Sequence, residues 1–292
     1  MQLALFTPYD RTGIRSPTGQ LLKWIGNKQR FAPEIASHFP RRFGRYFEPF
    51  LGSGAVLATV APKHGVASDT FGPLVEIWNA LVAHPAELKS WYSKRWDQMA
   101  RGDKVKVYER IKAAFNANPN GADLVFLCRA CYGGVVRFRK ADGYMSTPCG
   151  VHEPISPMSF NRRVDEWHER VINVEIRLAD YRHVMTEAAE GDLVYCDPPY
   201  TYSQSILYGA QAFSLVDFFK AVAACKQRGV HVAVSLDGTK KSGDMFCQFD
   251  LPADLFEREM EIQCGRSMLR RFQMGGRTLE SEHVSDRLLL TY

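Results

Sequence analysis

The apolar run Leu193-Val194-Tyr195-Cys196, cut off by Asp197-Pro198-Pro199-Tyr200, constrains this chain more than any other feature. Four consecutive apolar residues read as a strand buried on both faces, as in a parallel sheet covered by helices. Two prolines then fix φ and remove two backbone donors, so the strand stops at Asp197. A carboxylate is thereby placed at the carboxyl end of a buried strand, where open α/β sheets hold their ligands. The carbonyls beside Asp197 are free to accept hydrogen bonds, and Tyr200 supplies a flat face. An exocyclic amine on an aromatic ring is a poor nucleophile because its lone pair is delocalised. Two acceptors, Asp197 Oδ and the Pro198 carbonyl, would hold its hydrogens so that the lone pair points at a donor methyl. The same tetrapeptide also serves as a rigid turn after a strand.

The segment Tyr46-Phe47-Glu48-Pro49-Phe50-Leu51-Gly52-Ser53-Gly54-Ala55-Val56-Leu57 reads as a short strand, a glycine turn and the start of a helix. Gly52 and Gly54 suit a close approach of backbone to ligand. A dinucleotide site wants a third glycine three positions after Gly54, but Leu57 stands there. Downstream, Gly65-Val66-Ala67-Ser68-Asp69 is an apolar strand ending in a carboxylate suited to two ribose hydroxyls. A nucleoside carrying a methyl donor fits this pattern better than a dinucleotide. Alone, Gly-x-Gly is more often an ordinary strand-to-helix turn; its combination with Asp69 and Asp197 carries the weight.

Three motifs in this order, Lys23-Trp24-Ile25-Gly26-Asn27-Lys28, Phe47-Glu48-Pro49-Phe50-Leu51-Gly52-Ser53-Gly54 and Asp197-Pro198-Pro199-Tyr200, resemble those of the Dam-like, class α (D12 class) DNA adenine-N6 methyltransferases. Between them, Phe115-Asn116, Arg129 and the stretch from Tyr132-Gly133-Gly134 to Pro148-Cys149-Gly150 resemble the family's target-recognition segment, and Ser285-Asp286-Arg287-Leu288-Leu289-Leu290-Thr291-Tyr292 is similar to its closing strand. The resemblance implies an α/β fold: a Rossmann-like S-adenosylmethionine-dependent methyltransferase sheet with an inserted, mostly helical target-recognition domain carrying a β-hairpin. It implies S-adenosylmethionine as cofactor, bound by Trp24, Lys28, Phe50, Gly52, Ser53, Gly54, Asp69, Asp180 and Asp197. Asp197, Pro198 and Tyr200 are implied to be catalytic, with Tyr200 stacking on a flipped adenine. Arg129, Tyr132, Arg137 and Arg139 are implied to bind DNA. Two departures stand out. Asn27 replaces a usual glycine, and Phe138-Arg139 follows Arg137 where GATC-reading members carry an aromatic and Asn.

The formal charge of +5 is compatible with nucleic acid without requiring it, but its distribution is uneven. Basic residues crowd 129–140, Arg162-Arg163 and 266–277, and the first group is interleaved with Tyr132 and Phe138, a pattern suited to phosphate and base contacts together. For Arg162-Arg163 a solvated charged face is the preferred reading. The seven cysteines, odd in number and scattered, argue for a reducing cytosol, and Cys128-x-x-Cys131 reads as two buried thiols in a helix. The eight histidines form no HExxH, and no Gly-x-Ser-x-Gly elbow is present. Neither an apolar signal-peptide core nor a run of about 20 apolar residues occurs. The expectation is a cytoplasmic protein, prokaryotic or phage-encoded, without metal or membrane, acting on double-stranded DNA with or without a cognate restriction endonuclease.

Strands are expected near 46–50, 65–68, 174–177, 193–196, 230–235 and 288–292, with an amphipathic helix over 215–227 closed by Gly229. Helices are expected over 86–99, 104–116 and 123–131, followed by a Gly-, Pro- and Arg-rich stretch in which 135–150, tipped by Ala141-Asp142-Gly143, forms a two-stranded ribbon for a major groove. Trp91, Trp96 and Trp167 are expected to pack this insert. The division is 1–78 and 170–292 for the methyltransferase core and 79–169 for the insert. Two other readings share the tetrapeptide: an RNA adenine-N6 methyltransferase, and a catalytically inactive DNA-binding relative.

Overall fold

The computed structural model describes residues 7–8, 14–139, 141–199, 213–240, 245–246, 249–266, 273–274, 277–278 and 283–292. Its centre is a seven-stranded sheet: β1 (Tyr46–Glu48), β2 (Gly65–Asp69), β3 (Val174–Leu178), β4 (Leu193–Cys196), β5 (His231–Asp237), β6 (Arg258–Arg266) and β7 (His283–Leu290), in the spatial order β6-β7-β5-β4-β1-β2-β3. Strands β3, β2, β1, β4 and β5 are parallel, while β7 runs antiparallel between β5 and β6. From β1 the chain first winds outward to β2 and β3, then returns to β1's other side for β4. The order reverses between β1 and β4, and such a switch point opens a crevice at the carboxyl ends of the two strands. Those ends carry the glycine turn and Asp197.

Burial explains why these short runs are strands. Every residue of β1, β2 and β4 is buried, as helices on both faces demand, whereas the edge strand β3 alternates. Along β4 the side chains separate by parity: Leu193 and Tyr195 join the core with Phe39, Leu57 and Trp78, and Val194 and Cys196 join the opposite core with Phe47, Phe218 and Val222. Helices α1 (Ala32–Ser37) and α2 (Ala55–Val60) contribute to the first core, and helix α9 (Leu215–Gln227) covers the second face. Ser214 caps it by accepting from Asp217 N at 3.2 Å, and Gly229, at φ +76°, follows its end as expected.

Between β2 and β3 lie α3 (Gly72–Ala83), α4 (Pro85–Arg101), α5 (Lys104–Ala117), α6 (Gly121–Ala130) and α7 (Pro157–Val171). The boundary expected at residue 78 falls inside α3. Trp78 on that helix lies 5.8 Å from Trp167 on α7, so sheet-side and insert-side residues share one core. Trp167 is fully buried, and Trp91 and Trp96 pack against the same core. Within 157–171, where no helix was expected, Phe160, Val164, Trp167 and Val171 bury one stripe of α7, and Ser156 caps it. Strand β6 was likewise not anticipated; it pairs with β7 through an irregularity between Gln263 and Gly265.

The expected ribbon is present as two antiparallel arms joined by isolated bridges, Cys131 to Cys149 and Phe138 to Met145. The regular ladder is interrupted where Thr147 Oγ1 accepts from Arg137 N at 2.8 Å and donates to the Val135 carbonyl at 2.9 Å. Cys128 and Cys131 are buried free thiols, pushed up to about 11 and about 12 by burial. Among the described residues no helix is long and apolar enough to cross a membrane.

Candidate functional site

At the switch point the carboxyl ends of β1, β2 and β4 open into a cavity of about 540 Å³, within the range of small-molecule sites. Of the nine residues expected to bind a cofactor, Trp24, Lys28, Phe50, Gly52, Ser53, Asp69, Asp180 and Asp197 line it. Gly54 does not. It stands at φ +59°, and a Cβ there would lie 2.4 Å from Trp78 Cη2, so this glycine makes room for a core tryptophan instead of a ligand. Gly52, at φ +46°, does face the cavity, with its carbonyl held by Trp78 Nε1 at 3.1 Å.

One end of the cavity is built of charge. Asp197, just past β4, pairs with Lys28 at 2.8 Å; Lys28 is almost fully buried and also faces Asp286 of β7 at 3.5 Å. Glu48, the last residue of β1, is buried in the same wall and accepts from the Tyr46 hydroxyl at 2.6 Å. Burial, with the negative Asp197 nearby, pushes the Glu48 carboxyl up to about 8 against the hydrogen bond from Tyr46, so it is protonated at neutral pH. Tyr195 on β4, hydrogen-bonded to Ser235 at 2.9 Å, completes this wall. Pro199 lines the cavity and Pro198 is buried beside it. Tyr200 lies outside the described residues, as do Arg270 and Arg271 of the basic group expected at 266–277.

The other end is flat and aromatic. Phe50 stacks on Tyr181 with centroids 5.0 Å apart, and Phe213 meets both, at 5.8 and 5.9 Å. Asp180 caps the short helix α8 (Tyr181–Thr186) by accepting from Arg182 N, and it pairs with the Arg182 guanidinium, which holds its carboxyl below the usual range. Asp69, between the two ends, accepts from Gly52 N and Phe71 N, both at 3.0 Å, which fixes its carboxylate at the cavity wall. Sequence reasoning assigned no role to Glu48, Tyr181, Phe213, Asp217 or Asp286. Glu48 and Asp286 stood inside motifs already singled out, and their position in those motifs was the available signal.

The residues expected at DNA separate into two groups. Tyr132 is 42% exposed, and Arg139 projects from the ribbon tip, stacked over Tyr144 at 4.3 Å and forked onto Asp142. Arg137, half-buried, lies on the ribbon arm between them. Arg129 belongs elsewhere: only 6% exposed, it donates to the carbonyls of Gln20 and Leu21 at 2.8 and 2.9 Å. Its charge is spent fastening the segment that carries Lys23 and Trp24, so it is not presented to DNA. Arg163 likewise donates to the Gln20 carbonyl, which corrects its reading as part of a solvated face; Arg162 is exposed.

The sequence profile of the D12 class N6 adenine-specific DNA methyltransferases matches residues 24–253. A type II methyltransferase of Lactococcus lactis subsp. cremoris is 24% identical over 253 residues, covering 78% of this chain and 84% of that protein. A DNA adenine methylase of Vibrio cholerae serotype O1 is 26% identical over 230 residues, covering 73% of this chain and 79% of its own length. Among solved structures, an rRNA methyltransferase from Streptomyces viridochromogenes superposes over 94% of this chain and 90% of its own, at 12% identity and a TM-score of 0.39, too distant to support an inference.

Proposed function

This chain belongs to the D12 class N6 adenine-specific DNA methyltransferases, and from that premise we propose that the cavity binds S-adenosylmethionine and presents its methyl to an adenine N6 held by Asp197. The donor set fits the cofactor. Asp69 and Asp180 are fixed carboxylates suited to ribose hydroxyls and an exocyclic amine, and Phe50, Tyr181 and Phe213 form a flat apolar end suited to a purine. When bound, S-adenosylmethionine supplies an electrophilic methyl carbon on a positively charged sulfur.

The chain's own residues do the rest. The target base must leave the duplex because N6 is inaccessible inside it, at a cost of a few kcal/mol that stacking and hydrogen bonds offset. Asp197 Oδ and the Pro198 carbonyl accept the two N6 hydrogens and aim the lone pair into the cavity. As the N–C bond forms and the methyl–sulfur bond breaks, its electron pair leaving on sulfur as a neutral thioether, the nitrogen would gain positive charge and then shed a proton to solvent; the Asp197 carboxylate stabilises that charge where it develops. Before the base arrives, Lys28 holds Asp197 at the mouth of β4 through their 2.8 Å ion pair. Arg137, Arg139 and Tyr132 on the ribbon contact DNA, while Tyr200 is proposed to stack on the flipped base.

The observation that carries this reading is Asp197 at the switch point, facing a cavity whose other wall is the glycine turn and Asp69. Its test is the product. Duplex DNA treated with the protein and S-adenosylmethionine, digested to nucleosides and separated by chromatography and mass, should contain N6-methyladenine; N4-methylcytosine, or methyl found only in RNA, overturns it. Asp197→Ala should lower turnover by about two to three orders of magnitude with the fold intact.

A further inference from the structure

Lys28 is buried to 5% exposure between two aspartates, Asp197 at 2.8 Å and Asp286 at 3.5 Å, and this makes the Lys28–Asp197 pair a problem for the chemistry proposed above. Asp197 Oδ2 is the oxygen that the ammonium holds. To grip an incoming amine, Asp197 must loosen that contact, and a buried ammonium deprived of its counter-ion is strongly disfavoured. A lysine with a single carboxylate would therefore lock it.

The second carboxylate resolves this. Asp286 sits on β7 at the position opposite Asp237 of β5, and cross-strand partners project to the same face, so two carboxyl groups stand together at this end of the β5–β7 ladder, on the Lys28 side. The ammonium also donates to the Gly26 carbonyl at 3.4 Å. Asp286 lies farther from the ammonium than Asp197, is only 13% exposed, and does not line the cavity, so it cannot itself receive the substrate. Its placement suits a counter-ion in reserve.

Resting on the reading of Asp197 as the acceptor of the target amine, we propose that Asp286 is a positioning residue: it takes over the Lys28 ammonium when Asp197 turns to the base, so that Asp197 is released without leaving a buried cation unpaired. No bond is made or broken at Asp286. The ammonium moves by a fraction of an ångström from one carboxylate toward the other, and the total charge of the cluster is unchanged.

The near-isosteric Asp286→Asn removes the charge and tests this in the full chain, with S-adenosylmethionine and unmethylated duplex DNA containing the site that the wild-type chain methylates as substrates. Methylation rate in a single turnover should fall by about 10- to 100-fold. The dissociation constants for DNA and for S-adenosylmethionine should stay near those of wild type, so kcat moves and binding does not. Asp286→Glu, which restores the carboxylate on a longer stem, should recover most of the rate. An Asp286→Asn enzyme with wild-type single-turnover rate overturns the role, as does a folded Asp286→Glu enzyme no faster than Asp286→Asn. If Asp286→Asn melts below the assay temperature, Asp286→Glu decides alone: activity near wild type supports the role and its loss in a folded protein overturns it. A wild-type chain that makes no N6-methyladenine removes the underlying reading, whereas normal wild-type methylation with an unaffected Asp286→Asn removes only the role of Asp286.

Discussion

Arg129 and Arg137 lie eight positions apart in one basic segment and have opposite fates. The guanidinium of Arg129 is shared by two backbone carbonyls in the interior, and its Nε has no partner among the described residues. Arg129→Ala should therefore act on stability, leaving the Gln20 and Leu21 carbonyls orphaned at about 1–3 kcal/mol each. Denaturant midpoints should drop while the salt dependence of DNA binding stays unchanged; a flattened salt slope with normal stability would return Arg129 to the DNA. Glu48 gives a second test. Its folded-state value of about 8 lies above the ordinary 4.5, so between those limits the folded chain holds a proton that the unfolded chain has lost. Stability from this group is therefore fully present below about 4.5 and is lost as pH rises towards about 8. Glu48→Gln should abolish that dependence, so thermal melts of variant and wild type should diverge in the variant's favour across the window and run parallel above it. Asp197 and Asp69 were legible because each ends an apolar run, a local signal. The clasp of Arg129, the Lys28–Asp286 contact and the approach of Phe213 to Phe50 are tertiary, and nothing local announces them.

Two glycines in one turn separate element from site. Both have positive φ, so alanine is strained at either, but only at Gly54 does the new Cβ collide with a core side chain, Trp78; at Gly52 the nearest atom is Trp24 Cδ1 at 3.6 Å, ordinary contact. Gly54→Ala should lose about 1–3 kcal/mol to overpacking on top of its strain and show a lower melting temperature. Gly52→Ala should be the milder of the two in stability and the greater in S-adenosylmethionine affinity, read by titration calorimetry. If both variants bind the cofactor as wild type does, the turn is not part of the cofactor site. Among the longer elements, α9 was legible from its cap, its stripe and Gly229, while α7 was obscured by Arg162-Arg163 and its other charged residues, although Phe160, Val164, Trp167 and Val171 recur at helical spacing. Strand β6 alternates charged and apolar residues only loosely, and its register is set by β7, which no local pattern reveals.

At the scale of the molecule, the cavity draws its walls from Trp24 to Lys28, from the β1 turn, from Asp69 to Phe71, from the start of α8 and from the approach to α9. A ligand bound there bridges segments far apart in sequence, and S-adenosylmethionine at about 100 times its dissociation constant should stabilise the fold by about 2.7 kcal/mol. For a chain of this size that amounts to a rise in melting temperature of about 4 °C. Asp69→Ala should largely remove it, and an equal rise with ATP in place of S-adenosylmethionine would refute the assignment of the site.

The position of β7 carries a consequence in time. It is the last of the seven strands to be synthesised, yet it is threaded between β5 and β6, and it delivers Asp286 to Lys28 from the far end of the chain. On the ribosome, the glycine turn, Asp69 and Asp197 all emerge before that strand exists. A nascent chain thus holds most of its cavity residues before Asp286 can reach Lys28, and under the role proposed for Asp286 competence would arrive with that strand.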